Sequence, residues 1–301
     1  MAEVYLISSG DRNEPVKELF RQFDTKKFRN SEVTLKANYN SADPPPGSTH
    51  TDTLRGTAEA LREMGAGEIF MVERSGMGNT SRVLEQRGVI RLAREMNFNL
   101  TTLEEMYPRD FTHIVRPWMH WRNGFYLVKR VTGDASVVSL CCLKTHRFGG
   151  HFTLSLKNSV GLIAKTEPGG SYDFMRELHV SENQRLMIAE INTGYHPDIV
   201  ILDATEGFSH GGPERGELIH PGIIIGGDDR VAVDAVGIAL LRTYGSTPEV
   251  MKGRIFELEQ IRRAAELGVG VTKPSEIQVQ GLDNGSSKVA EGLSSILDKE
   301  G

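Results

Sequence analysis

Three short runs carry the residue types that could do chemistry. Lys144-Thr145-His146 closes an apolar stretch, Gly149-Gly150 follows it, and Lys157-Asn158 interrupts the next apolar segment, FTLSLKNSVGLI. Residues two apart at a strand end point to one face, so the amine and the imidazole can meet one substrate. The lysine could hold a carboxylate or phosphate. The imidazole could move a proton, donate a hydrogen bond or ligate a metal. A glycine pair ahead of a helix leaves backbone N–H groups free for an anion. If the following segment packs on a sheet, Lys157 or Asn158 turns inward and needs a partner. A solvated strand end and an ordinary turn are the plain alternative.

Carboxylates and a polar rim complete the candidate set. Asp234 lies in VAVDAVGIALL, apolar on nearly every side. A buried, unpaired carboxylate is costly, so Lys144, Lys157 or several donors should stand beside it. Asp203 ends the apolar run DIVILD and Asp228 follows GIIIGG. Either could ligate a divalent metal or serve only as a helix cap, and Asp228 fits a cap better. Lys36, Asn38 and Asn40 alternate along a strand, and His50 stands beyond the rigid DPPPG loop. Lys36, Asn38 and His50 therefore read as a binding rim, or as an exposed edge. His210-Gly211-Gly212-Pro213 is a second tight loop rich in backbone donors. The remaining histidines lack H-E-x-x-H spacing.

Positioning these groups requires strands that end at them. Strands are expected at 4–9, 32–39, 68–73, 125–131, 137–143, 198–203, 222–227 and 276–280. Helices are expected at 15–23, up to 64, and at 82–96, 152–163, 181–193, 228–244, 253–267 and 287–298. Alternation of this kind predicts an α/β fold with a largely parallel central sheet and helices on both faces. A single α/β domain over 1–301, with a candidate sub-lobe at 97–135, fits that order. Ligand sites in such sheets form outside the carboxyl ends of the strands.

Composition narrows the function classes. Lys+Arg is 35 against Asp+Glu 40, which argues against nucleic acid as a partner. The two cysteines, Cys141 and Cys142, are neighbours that face opposite ways in a strand, and two sulfurs cannot hold a four-cysteine cluster. The opening MAEVYLISSG lacks a signal-peptide pattern and no run suits a membrane span, so a cytoplasmic location is expected. SGMGNTS is a near miss to the dinucleotide fingerprint, because Ser81 replaces the third glycine.

Taken together, LKANYNS, STHTDTLRGTAEALREMGAGEIFMVE, LCCLKTHRFGGHFTLSLKNSVGLI, HPDIVILDATEGFSHGGPERG and GGDDRVAVDAVG resemble the domain of unknown function 362 family, in that family's order, over about 33–243. The resemblance implies an α/β fold and a shared polar site on Lys36, Asn38, Lys144, His146, Lys157, Asn158, Asp203, Gly211, Gly212 and Asp234. Some relatives carry a ferredoxin-like cluster domain, which implies redox work. This chain has no such cysteines, so electrons would need a redox partner protein or a bound cofactor. Two functional readings follow. In the first, an enzyme binds a small anionic ligand through Lys144, Lys157, Gly149 and Gly150, with His146 moving a proton, Asp234 setting a neighbour's charge, and a metal on Asp203 or Asp228 as an option. In the second, a non-catalytic module carries a cofactor or metal cluster for a partner.

Overall fold

Strand direction decides where the site can lie. The computed structural model describes residues 1–24 and 26–300. Its strands are β1 (Ala2–Ser8), β2 (Val33–Lys36), β3 (Ile69–Glu73), β4 (Asn99–Thr102), β5 (Phe111–Ile114), β6 (Phe125–Val128), β7 (Ser136–His146), β8 (His151–Thr153), β9 (Ile199–Gly211), β10 (Gly216–Ile219), β11 (Ile223–Gly227) and β12 (Ile277–Gly281). Its helices are α1 (Asn13–Phe20), α2 (Thr51–Glu63), α3 (Thr80–Gln86), α4 (Val89–Glu95), α5 (Ser155–Asn158), α6 (Phe174–Val180), α7 (Gln184–Ile191), α8 (Arg230–Thr243), α9 (Pro248–Met251), α10 (Glu259–Glu266) and α11 (Asn284–Glu300).

Among the described residues, ten strands form one sheet in the order β12-β1-β11-β9-β7-β2-β3-β4, with β10 on β9 and β8 on β7. β9, β7, β2, β3 and β4 are mutually parallel, and β1 pairs parallel with β12. β11 runs against both β1 and β9. The fold is therefore α/β with a mostly parallel sheet, as the alternation predicts. β7 is buried along its whole length, because strands at the centre of a two-sided sheet meet helices on both faces. α1, α2, α3 and α4 cover one face through Leu19, Leu54, Leu84 and Leu92. α8, α10 and α11 cover the other over β1, β11 and β9. Beside them, the separate β5–β6 hairpin joins α6 and α7 around Phe125, Phe174 and Met187. No helix among the described residues is long and apolar enough to cross a membrane.

Two local expectations are corrected. The helix expected at 152–163 is a strand, a single α turn and a 3₁₀ turn, because His151–Thr153 folds back onto β7 and pairs His151 with His146. The helix expected at 82–96 breaks at Gly88, whose φ of 74° suits glycine and ends α3.

Candidate functional site

The crevice arises from unequal strand lengths. β2 stops at Lys36, opposite Ser139, while β7 runs on to His146, roughly 23 Å further at about 3.3 Å per residue. β8 fills only the far part of that flank, opposite Lys144 to His146. The gap lies where the connections diverge. From β2 the chain moves outward to β3 and β4, and from β7 it moves the other way to β9. Such a switch point is where open α/β sheets bind ligands.

A cavity of about 50 Å³ opens there, lined by Lys36, Asn38, Glu73, Arg74, Lys144, His146, Thr153, Lys157 and Asn158, with Gly161 and Pro213 closing it. Lys36 and Asn38 come from the end of β2, Glu73 and Arg74 from the end of β3, and Lys144 and His146 from β7. α5 supplies Lys157 and Asn158. Residues more than a hundred positions apart thus share one space.

Asn158 ties the floor together. Its Oδ1 accepts from Lys36 Nζ (3.3 Å) and Asn38 Nδ2 (3.2 Å), and its Nδ2 donates to Ser139 Oγ and the Leu140 carbonyl (both 3.1 Å). Lys36 Nζ also donates to Glu73 Oε1 at 2.7 Å, and Glu73 accepts from the Tyr39 and Arg74 N–H groups. Burial pushes the Lys36 ammonium down and the Glu73 carboxyl up, and each partner pulls the other back. Lys144 Nζ donates to Asn38 Oδ1 (2.8 Å) and the Gly47 carbonyl (2.6 Å), neutral acceptors that leave its charge unmatched.

The other wall is less satisfied. Among the described residues Lys157 has no hydrogen-bond or acidic partner, and burial followed by repulsion from Lys144 and Arg74 brings it down to about 7. Arg74 donates from Nη2 to the Val160 carbonyl and Met175 Sδ, while its buried Nε and Nη1 are unpaired. Burial lowers Arg74 only to about 10, so the guanidinium keeps its charge at neutral pH. His146 Nδ1 is buried without a partner. Burial, reinforced by the Lys157 and Lys144 charges, holds this imidazole far below its ordinary value and hence neutral. Four cationic side chains therefore face one carboxylate across the cavity. Buried charge of one sign without a counter-ion is unfavourable, and an oxyanion is the ligand that relieves it.

Several candidates lie elsewhere or act differently. Gly149 and Gly150 do not precede a helix; β8 intervenes. Gly150 instead lets two side chains approach: a Cβ there would stand 2.7 Å from Lys157 Cε and 2.9 Å from His146 Nδ1. Gly149 adopts φ 79° against Gln184. Gly211 and Gly212 shape the β9–β10 turn, with Gly212 pressed on the Thr145 carbonyl, and only the following Pro213 touches the cavity. His50 caps α2, its Nδ1 accepting from the Asp52 N–H at 3.1 Å, and does not line the cavity. Asp234 is not beside Lys144 or Lys157. Its carboxylate accepts from the Ser155 and Leu156 N–H groups (2.7 and 3.0 Å) and so fixes the start of α5, while burial pushes it up to about 7.

The metal option is also corrected. Asp203 binds Arg12 Nε (2.8 Å) and Thr53 Oγ1 (2.7 Å). Asp228 follows Gly227, which pairs with Val200, so the reversed direction of β11 carries it to the opposite end of the sheet from Asp203. The cap of α8 is Asp229, whose Oδ1 accepts from Val231 and Ala232. No group of three or more His, Cys, Asp or Glu among the described residues could hold a metal ion. Cys141 and Cys142 are buried within β7, and burial pushes both thiols up. Glu73, Arg74 and Thr153 are the site residues the sequence reading missed. The signal for Glu73 and Arg74 was the strand end in IFMVER, the same position that marks Lys36, whereas Thr153 on the three-residue β8 left none.

Fold and crevice together define an α/β protein with a cationic pocket at a topological switch point. The chain belongs to the family described as Domain of unknown function (DUF362), whose model matches residues 33–239 of the 301. That span contains every residue named in the cavity. No curated protein and no solved structure matches the chain.

Proposed function

We propose that the protein is an enzyme whose cavity at the ends of β2, β3 and β7 binds the carboxylate or phosphate group of a small substrate. One observation carries this reading: among the described residues Arg74 Nε and Nη1 have no hydrogen-bond partner and Lys157 has no acidic one, beside a cavity where four cations face one carboxylate. Arg74 offers a charged N–H donor to an oxyanion, and Lys144 adds an unmatched charge. His146, unpartnered at Nδ1 among the described residues, can take a proton from the bound molecule once the anion offsets the Lys157 and Lys144 charges that hold it neutral. Asn158, Lys36, Glu73 and Asp234 act as positioning residues, because they brace the donors and the α5 turn rather than facing the ligand freely.

The test is thermal denaturation against inorganic phosphate, sulfate and a series of small carboxylates. A bound anion at a hundred times its Kd should add about 2.7 kcal/mol of stability. Lys144→Met should weaken that response, while His146→Ala should keep it and abolish turnover of any substrate found. Indifference of the melting temperature to every anion, in wild type and Lys144→Met alike, would end this reading.

A further inference from the structure

We infer that Lys157 is the nucleophile of this site and that the substrate is a compact 2-oxo acid, held as an imine on the Lys157 nitrogen. This rests on the anion-binding reading above and names the substrate class for it. The argument begins with how Lys157 differs from its neighbours. Lys36 donates to Glu73 and Asn158, and Lys144 donates to Asn38 and Gly47. Lys157 has no acceptor at all, and Lys144 and Arg74 are the charges that face it most closely. An amine surrounded by cations and given no acceptor sheds its proton and exposes a lone pair.

A proton acceptor stands beside it. His146 Nδ1 and Lys157 Cε both reach within 3 Å of a single point next to Gly150, at 2.9 and 2.7 Å. A donor for a carboxylate stands at the same cavity, since Arg74 lines it and has N–H groups at Nε and Nη1 with no partner among the described residues. The cavity measures only about 50 Å³. A molecule that engages both the guanidinium and the amine in so small a space carries its carbonyl next to its carboxylate. Phosphate fits the charge but offers no electrophilic carbon.

The step balances without an oxidant or reductant. The Lys157 Nζ lone pair adds to the carbonyl carbon, and the C=O π pair moves onto oxygen. With the substrate carboxylate offsetting the Lys144 and Arg74 charges, the nitrogen gives up its two protons in turn, relayed through His146 Nδ1, to the oxygen. The oxygen leaves as water while nitrogen and carbon form the C=N bond. Amine plus carbonyl gives imine plus water.

The experiment treats the full chain with glyoxylate or pyruvate and sodium borohydride, then maps modified lysines by mass spectrometry. Binding of acetate and inorganic phosphate is measured in parallel by calorimetry. The expected result is one dominant reduced adduct on Lys157, formed on the order of a hundredfold faster near pH 7 than on exposed lysines. Excess acetate should slow it, and Lys157→Arg should remove it. The rate should climb as pH rises through neutrality, with Lys144, Arg74, His146, Lys36 and Glu73 the titratable groups around the amine. Acetate or phosphate binding with no preference for Lys157 would overturn the inference and leave the anion site standing. Absence of both binding and adduct would overturn the two together. The mapping uses the wild-type chain, so a variant that failed to fold would not blunt it.

Discussion

Replacing Lys157 by methionine should make the protein more stable, which is unusual for a buried position. Methionine matches the length of the lysine stem and keeps its packing while removing the charge. The shift of Lys157 from 10.5 to about 7 measures the cost of holding its ammonium among Lys144 and Arg74. At about 1.4 kcal/mol per unit this sets an upper figure of roughly 4–5 kcal/mol. The amine is not wholly sealed from solvent, and screening reduces the gain to roughly 2 kcal/mol. For a chain of this size that is about 4 °C in melting temperature. The pH dependence gives a sharper check. The folded-state value is depressed, so the unfolded chain binds more protons between about pH 7 and 10.5. Wild-type stability should therefore rise relative to Lys157→Met across that window, with the difference at its full size below about pH 7 and gone above 10.5. Urea unfolding at several pH values reads this directly. The same variant should bind acetate at least about tenfold more weakly, through loss of a hydrogen-bond donor to a charged ligand. A destabilised Lys157→Met with undiminished anion binding would mean that the amine has a partner and that the charge argument is wrong.

Three further outcomes follow from the same geometry. Glu73→Gln leaves the buried Lys36 ammonium unpaired and should cost about 3–5 kcal/mol in urea unfolding. Asp234→Ala orphans the Ser155 and Leu156 N–H groups, at about 1–3 kcal/mol for each, and should loosen α5 enough to speed amide exchange there. Gly150→Ala places a methyl group 2.7 Å from Lys157 Cε and 2.9 Å from His146 Nδ1, so calorimetry should show weakened anion binding with little loss of stability.

How far the sequence could be read depended on whether a residue's role is local. Lys36, Asn38, Lys144 and His146 were legible because each sits at or just beyond the end of an apolar run, Lys157 and Asn158 because they interrupt one, and all line the cavity. Arg74 and Glu73 were hidden by the glycine loop after them, which drew the eye to a dinucleotide motif. Asp234 looked catalytic because an acid in an apolar helix demands donors, and nothing local tells N–H groups at 155 and 156 from a lysine. That Asp203 and Asp228 stand at opposite ends of the sheet was not legible, because GIIIGG reads the same whichever way its strand runs. β8 escaped notice because three residues pairing with 144–146 leave no periodic trace.

The placement of β1 has a consequence for biosynthesis. β1 leaves the ribosome before the other eleven described strands, yet its neighbours in the sheet are β11 and β12, more than 200 residues later. The strands around the cavity, from β2 to β9, can pair among themselves long before then. Val4 and Leu6, both fully buried in the finished protein, must therefore wait exposed or be shielded by a chaperone until residues 223–227 and 277–281 emerge. A nascent chain halted before residue 223 would offer that apolar strand to any passing sheet edge.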